Sequence, residues 1–305
     1  MSDVEFGIGL RRLDSVAADA RDAEALGYEF VSTGEHVFFH GPIGNGLISL
    51  AAAAGATSRI KLMSTITLVP LYPPALLAKQ VAALDIVSNG RFNLGVGVGG
   101  EYPKEFEACG VPVGERGART NESLEVMRRL WTEDDVSFRG RFNTLNAVTL
   151  SPKPTQRPCP PIWISGRSEA AMRRCAHYGT GWLPYMYTPE KLADSLVAIR
   201  RYANEVGREE MIKPGLFIFF AVHEDRAQAI RMASDRLSVQ YNQDFSQLVG
   251  RYALAGNPQD CIGRLQQYMD AGAGTIMLNS ACPGDYMVEN ERLLAAEVLP
   301  ALRSR

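Results

Sequence analysis

Short apolar runs, rich in β-branched and aromatic residues, recur along this chain, and each is followed by a segment whose apolar residues have helical spacing. Near-continuous apolar runs are typical of strands buried on both faces, as in a parallel sheet covered by helices. The alternation therefore predicts repeated strand–loop–helix units. Eight strands are predicted, at residues 5–10, 30–35, 60–68, 92–98, 161–166, 179–185, 216–222 and 274–279.

The segments between these strands have helix signals at both ends. Asp, Ser or Pro stands at several starts and Gly just beyond several ends, as at Gly27, Gly207 and Gly272. Eight such units predict an α/β fold, a single-domain (β/α)8 TIM barrel over residues 1–305, with a doubly wound open sheet as the alternative. Helices are predicted at 14–26, 47–57, 73–87, 115–131, 168–177, 189–206, from 226 onward, at 258–271 and near 289–302.

Two segments interrupt this rhythm. Residues 133–160 alternate polar and apolar positions and then become rich in proline, which predicts a non-helical insertion between strands four and five. Residues 234–257 are predicted as a helix followed by a loop. Each segment is a candidate lid over the carboxyl ends of the strands, where the functional loops of a barrel lie.

Charge and composition exclude some functions. The net charge is -2 and no basic run is present, which argues against nucleic acid. The first residues contain no apolar targeting segment, and no run reaches the roughly 18 apolar residues of a membrane helix, so a cytoplasmic protein without membrane contact is expected. The five cysteines are scattered without a C-x-x-C, which favours free thiols.

The fourth strand ends in a glycine-rich segment with the spacing G-x-G-x-x-G at Gly95, Gly97 and Gly100. A dinucleotide-binding turn follows the first strand of its fold and leads directly into a helix, whereas here Pro103 and a mixed sequence follow the fourth strand. A dehydrogenase of that type is therefore disfavoured. We expect Gly97, Gly99 and Gly100 to let a flat ring or a loop lie against the backbone.

A carboxylate and an imidazole are adjacent after the second strand. Glu35 and His36 can exchange protons near neutral pH, and their place at the rim of a barrel favours this over a capping Glu beside a buried His. His36 and His40 have the i, i+4 spacing of some zinc ligands. Gly41 and Pro42 make the segment a loop rather than a helix, so no metal is expected.

The fifth strand leads into a turn suited to an anion. Gly166, Arg167 and Ser168 precede a predicted helix, whose free N–H groups attract phosphate, and the arginine adds a fixed charge. An ordinary Ser cap with a surface Arg is the alternative.

Aromatic residues at strand ends and loops predict an apolar or flat substrate, with packing beneath the lids as the alternative for some of them. They are Phe38, Phe39, Tyr72, Tyr102, Trp182 and Tyr185.

Taken in order, long segments of the chain resemble the bacterial luciferase-like superfamily of flavin- and deazaflavin-dependent oxidoreductases, and most closely its branch that uses coenzyme F420. The resemblance implies a TIM barrel with an insertion between strands four and five and a redox ring bound at the strand carboxyl ends. The segments that carry the resemblance are 23–37, 70–134, 136–142 and 150–184.

The resemblance also implies roles for particular residues. His36 would lie beside the ring as proton donor or acceptor with Glu35 tuning it, although many relatives carry Asp in place of Glu35. A bulge in the third strand, often with a cis peptide behind the ring, would fall near Ile66 and Thr67. The glycines Gly97, Gly99 and Gly100 would pass near the ring, and Gly166, Arg167 and Ser168 would take the phosphate.

Three functions follow from the resemblance. The first is hydride transfer between F420 and a small, largely apolar organic substrate. The second is a two-component monooxygenase that uses O2 and reduced FMN from a partner flavin reductase, and the third is a non-catalytic flavin-binding protein. Relatives commonly form homodimers through the helices that correspond to 47–56 and 75–84, although these small apolar residues also suit inward helix faces.

Overall fold

Eight parallel strands close into a barrel in the computed structural model, which describes residues 4–208 and 212–303. The barrel strands are β1 (Glu5–Gly9), β2 (Phe30–Thr33), β3 (Lys61–Ser64) with β4 (Thr67–Leu68), β5 (Phe92–Gly97), β8 (Ile162–Ser165), β9 (Gly181–Leu183), β10 (Lys213–Val222) and β12 (Thr275–Ser280). Strand β1 pairs with both β12 and β2, and β9 pairs with β10, so the predicted (β/α)8 barrel is confirmed and the open sheet is excluded.

Helices cover the outer surface of the barrel, and no helix in the described ranges is long and apolar enough to cross a membrane. Outward residues such as Val31 and Leu62 pack between the barrel and this helical layer. The helices are α1 (Val16–Ala25), α2 (Gly46–Ala56), α3 (Pro74–Val87), α4 (Pro103–Ala108), α5 (Arg116–Thr132), α6 (Glu169–Tyr178), α7 (Pro189–Glu205), α8 (Arg226–Tyr241), α9 (Val249–Tyr252), α10 (Pro258–Asp270), α11 (Met287–Leu293) and α12 (Leu299–Arg303).

The barrel lumen is filled by large apolar side chains. Because successive residues of a strand point to opposite faces, each strand sends every second side chain inward. This lumen plug closes the barrel below its carboxyl-end rim and leaves only the rim open for a ligand. Its fully buried members are Phe30, Met63, Trp163, Leu183 and Met277.

The third strand is interrupted rather than continuous. Strand β3 ends at Ser64, the Thr65–Ile66 peptide bond is cis, and β4 then pairs with β5. The cis bond confirms the expectation from the family resemblance. The apolar pattern of residues 60–68 shows only one run, because both pieces of the strand are buried.

The insertion between β5 and β8 contains an antiparallel hairpin of β6 (Val136–Arg139) and β7 (Thr144–Val148). The Glu122 carboxylate of α5 accepts hydrogen bonds from the Arg141 N–H at 2.7 Å and the Phe142 N–H at 2.9 Å, which fixes the hairpin turn. Further on, the Gln156 side chain donates to the Phe92 carbonyl, at the amino end of β5. The insertion is therefore attached along α5 and at the amino ends of the strands, away from the rim that it was expected to cover.

The second interruption contains the end of α8, then α9 and a short strand that the sequence pattern did not predict. This strand, β11 (Ala253–Gly256), pairs with Phe219–Val222 of β10 near the rim. Tyr241 at the end of α8 contacts Phe39 from the loop after β2, with ring centroids 6.3 Å apart. This segment, rather than the hairpin, occupies the position of a lid.

Candidate active site

His36 is held by a carboxylate from a distant part of the sequence. Its Nδ1 lies 3.2 Å from each carboxylate oxygen of Glu105, a fully buried residue of α4. The Val37 N–H also donates to Glu105, at 3.2 Å. A carboxylate only accepts, so Nδ1 carries the hydrogen, and Nε2 has no partner among the described residues. The arrangement leaves Nε2 free to take up or release a proton.

Glu35 faces away from the imidazole. Its buried carboxylate accepts hydrogen bonds from the Leu68 N–H at 3.0 Å, the Tyr72 hydroxyl at 2.9 Å and the Gly46 N–H at 3.3 Å. Burial is the largest influence and raises the pKa of Glu35, while these hydrogen bonds act in the opposite direction. Glu35 therefore joins the end of β2 to β4 and to the start of α2, and it acts on His36 only through space.

This geometry corrects the expected Glu35–His36 pair. The two residues are neighbours in the sequence, but the Glu35 carboxylate contacts β4 and the start of α2, whereas the His36 imidazole contacts α4. The sequence analysis missed Glu105, because the contact depends on how α4 packs beside the β2 loop. One signal for a buried Glu105 was available in the sequence, since this acidic residue stands next to the apolar Phe106 in a short, otherwise amphipathic segment.

The glycines of β5 make room for the kinked third strand. A Cβ on Gly97 would lie 1.6 Å from Ile66 Cδ1, and one on Gly95 would lie 1.9 Å from the Ser64 carbonyl oxygen. Gly99 and Gly100 have φ angles of 60° and 108°, which favour glycine. The expected close approach to the backbone is present, and it is made by the protein's own third strand.

Ile66 and Thr67 differ in what they offer to a ligand. Ile66 lies over Gly97 and keeps part of its surface exposed, whereas Thr67 is fully buried and its hydroxyl has no hydrogen-bond partner. Ser32 also has a buried hydroxyl without a partner, and it points into the lumen on the same face of β2 as Phe30. The sequence analysis did not single out Ser32.

The Gly166 to Ser168 turn has the features of an anion site. Gly166 has a φ of 122°, and the Ser168 side chain caps α6 by accepting from the Ala171 N–H at 3.2 Å. The N–H groups of Glu169 and Ala170 have no acceptor in the part of the chain that the structure describes. The Ser cap and the free N–H groups therefore coexist, and a phosphate fits this turn.

Arg167 stands exposed at the same turn. Its guanidinium lies 4.9 Å from the ring centroid of Tyr185, and the Tyr185 hydroxyl donates to Glu101. These three residues follow three different barrel strands, so the contact spans part of the rim. The arginine is positioned to add charge to the anion site.

The aromatic residues expected at the substrate site separate into two groups. Phe38 is exposed and Tyr102 partly exposed, and both line a cavity beside His36. The Phe39 ring stacks on the His36 imidazole at a centroid distance of 4.1 Å. The Tyr72 hydroxyl is hydrogen-bonded to the Glu35 carboxylate. Trp182 is fully buried outside the lumen, because its strand neighbours face inward, which corrects its expected place at the substrate site.

Comparisons with known proteins agree on one family. A family model described as luciferase-like monooxygenase matches residues 5–275. The FMNH2-dependent dimethylsulfone monooxygenase of Pseudomonas putida is 33% identical over 182 residues, which are 59% of this chain and 50% of that protein. The chain spans 62% of the length of other curated relatives with the same identity.

Two solved structures have nearly the same fold. The monooxygenase RslO1 from Streptomyces bottropensis superposes with a TM-score of 0.86 at 29% identity, over 97% of this chain and 99% of its own. An F420-dependent secondary alcohol dehydrogenase in complex with an F420–acetone adduct has a TM-score of 0.86 at 22% identity, over 98% and 99% of the two chains. At that identity the second likeness shows the fold alone.

Proposed function

Because this chain belongs to the luciferase-like monooxygenase family, we propose that it is an oxidoreductase in which a reduced flavin-type ring acts on a small organic substrate and His36 carries the proton. The observation that supports this most directly is the His36–Glu105 pair. A buried carboxylate fixes one imidazole nitrogen and leaves the other free, at the carboxyl-end rim of the barrel and beside an open cavity.

Several residues fit a flavin-type cofactor. Gly166, Arg167 and Ser168 would bind its phosphate, and the exposed part of Ile66 would lie against the ring. The unpartnered hydroxyl of Ser32 would gain a partner, since leaving a buried hydroxyl unsatisfied costs about 1–3 kcal/mol. Once bound, reduced FMN supplies electrons for the insertion of oxygen from O2, whereas reduced deazaflavin supplies a hydride.

The protein's own part is to position groups and to move a proton. Glu105 orients the His36 imidazole and balances its charge when Nε2 is protonated. Glu35 holds β4 and the start of α2 in place, which supports the wall formed by Ile66. Phe39 covers one face of the imidazole and limits the access of water to it.

We favour reduced FMN and monooxygenase chemistry over the F420 chemistry first expected from the sequence. The support comes from the relatives, since the one 33% identical is named as FMNH2-dependent and the structure 29% identical is a monooxygenase. A flavin reductase would then be the partner. Hydride transfer with F420 is the second candidate. Its support is that the long sequence segments resemble the branch of the superfamily that uses F420.

An anaerobic titration separates the two cofactors. The purified protein is titrated with reduced FMN and with reduced F420 while the fluorescence of each is followed, and O2 uptake is measured afterwards. We expect saturable, micromolar binding of reduced FMN followed by O2 consumption. Binding of F420 alone would select the second candidate, and binding of neither would contradict the proposal.

The exposed faces of α2 and α3 support a homodimer. Ile48 on α2 is 72% exposed, and Leu76 and Val87 on α3 are 51% and 61% exposed. Large apolar side chains clustered on two neighbouring helices mark a protein interface more often than an isolated exposed residue does. We propose that this apolar face of α2 and α3 pairs with that of a second copy.

A further inference from the structure

We propose that the cavity beside His36, called here the His36 cavity, binds a flat apolar molecule that carries a carboxylate, and that Lys104 recognises the carboxylate. The inference deepens the proposed function and rests on it, because this ligand would be the substrate brought to His36.

The His36 cavity has the size and the walls of a small-molecule site. It measures about 500 Å³ and lies between the loop after β2 and the start of α4. Its apolar and aromatic surface comes from Phe38, Phe39, Ile43 and Tyr102, and polar groups contribute a similar area. Ligand pockets commonly measure about 300–1,000 Å³ with mostly apolar and aromatic linings. Phe38 is 51% exposed, so a ligand would remove a large apolar surface from water.

The aromatic walls of the His36 cavity favour a flat molecule. Phe39 lies nearly parallel to the His36 imidazole, with 17° between the ring planes, and Tyr102 stands edge-on to His40. Flat rings packed in these orientations gain both apolar burial and favourable ring contacts. A planar ligand extends this arrangement, whereas a bulky aliphatic one leaves gaps.

The charge of the cavity lining is positive. No Asp or Glu is among the lining residues, and both oxygens of the nearby Glu105 face His36 Nδ1. Lys104 lines the cavity and has neither an ion pair nor a hydrogen bond within residues 4–208 and 212–303. By contrast, Lys61 is paired with Glu5. The unpaired ammonium of Lys104 is therefore the natural partner for an anionic group of the ligand.

The proposal is tested with 2-naphthoate and its neutral counterpart 2-naphthamide, whose binding to the full chain is measured by calorimetry at pH 7 without cofactor. We expect 2-naphthoate to bind about fivefold more tightly than 2-naphthamide. A difference in affinity of about fivefold is at the upper end of the contribution that a partly exposed ion pair makes. Lys104→Gln should abolish this preference and leave the affinity for 2-naphthamide unchanged. Lys213→Gln, at an exposed lysine of the amino end of β10, is the matched control and should keep the preference.

Equal affinity of the wild-type protein for the two compounds would overturn the proposal, and so would the absence of binding by either. A preference for 2-naphthoate that survives Lys104→Gln would also overturn it, because the anion would then be recognised elsewhere. The binding assay contains no flavin. Failure of the proposed function would instead appear as absent binding of reduced FMN and reduced F420, whatever the naphthoate result.

Discussion

At the scale of single residues, the site depends on a contact between positions far apart in the chain. His36 and Glu105 are separated by 69 positions and meet only because α4 packs against the loop after β2. The place of His36 at the rim could be predicted from the strand pattern. Its partner could not, because sequence adjacency pointed to Glu35, whose carboxylate turns toward β4 instead.

The first prediction concerns the charge of Glu105. Glu105→Gln keeps an acceptor for the Val37 N–H, so the free energy of unfolding should change by less than about 1 kcal/mol. Turnover should fall tenfold or more, since the protonated imidazole loses its buried counter-charge, at roughly the scale expected for acid–base catalysis. The checks are urea unfolding and reduced-cofactor-dependent turnover. Unchanged turnover would remove Glu105 from the mechanism.

The second prediction concerns Gly97. A Cβ in Gly97→Ala would meet Ile66 Cδ1 at 1.6 Å and Cγ1 at 2.9 Å, so the Ile66 side chain must move from its position against β5. We expect a loss of about 1–3 kcal/mol in the free energy of unfolding, as for overpacking elsewhere. Gly114→Ala, where a Cβ would have no neighbour within 4 Å, is the control. Equal stabilities of the two variants would show that Ile66 does not need the glycine.

At the scale of elements, the sequence predicted the barrel strands well because each is a continuous apolar run. It missed β11, a four-residue strand with one large apolar side chain, Leu254, and no β-branched or aromatic residue. The division between β3 and β4 was expected from the family resemblance alone, since both pieces are buried and the backbone turn leaves no mark in the hydrophobic pattern. Local patterns report burial, whereas pairing partners and kinks are set by the packed barrel.

The attachment of α11 to the rim is another feature at this scale. The buried carboxyl of Glu291 lies 3.8 Å from Arg11 Nε and accepts from the Ser280 hydroxyl at 3.3 Å. Arg11 is also bound by Asp19 and Asp22. Burial raises the pKa of Glu291 to about 8, with Arg11 lowering it and Asp19 raising it.

The third prediction follows from this pKa. Because the pKa of Glu291 is higher in the folded chain than its ordinary value of 4.5, its contribution to stability is fully present below about pH 4.5 and is lost as the pH rises through about 8. Glu291→Gln stays neutral, so its Tm should decline less than that of the wild type across this window. Glu289→Gln, at an exposed neighbour, should follow the wild type. Parallel pH profiles of all three proteins would contradict the assignment.

At the scale of the whole molecule, the barrel presents its site at one end and an apolar face on α2 and α3 along its side. The small residues of these helices were open to two interpretations from the sequence. The structure shows that the helices have both an inward apolar face and an exposed one, with Leu50 and Leu77 buried and Ile48 and Leu76 exposed. Periodicity alone could not separate these faces, because both are apolar.

The fourth prediction tests the proposed dimer. Sedimentation velocity should give a species of twice the 33.4 kDa chain mass for the wild type. Ile48→Glu should yield monomers, since it places a charge in the interface. Val197→Glu, which replaces an equally exposed apolar residue on α7, should remain dimeric. A monomeric wild-type protein, or a dimeric Ile48→Glu variant, would refute the use of this face.

The central claim is that a redox ring lies at the barrel rim against His36. A crystal structure with bound FMN, or with F420 if the titration selects it, tests this directly. The account predicts that the ring contacts Ile66 and faces His36 Nε2, and that the phosphate lies at the turn formed by Gly166, Arg167 and Ser168. A cofactor bound elsewhere, or with His36 turned away from the ring, would contradict the claim.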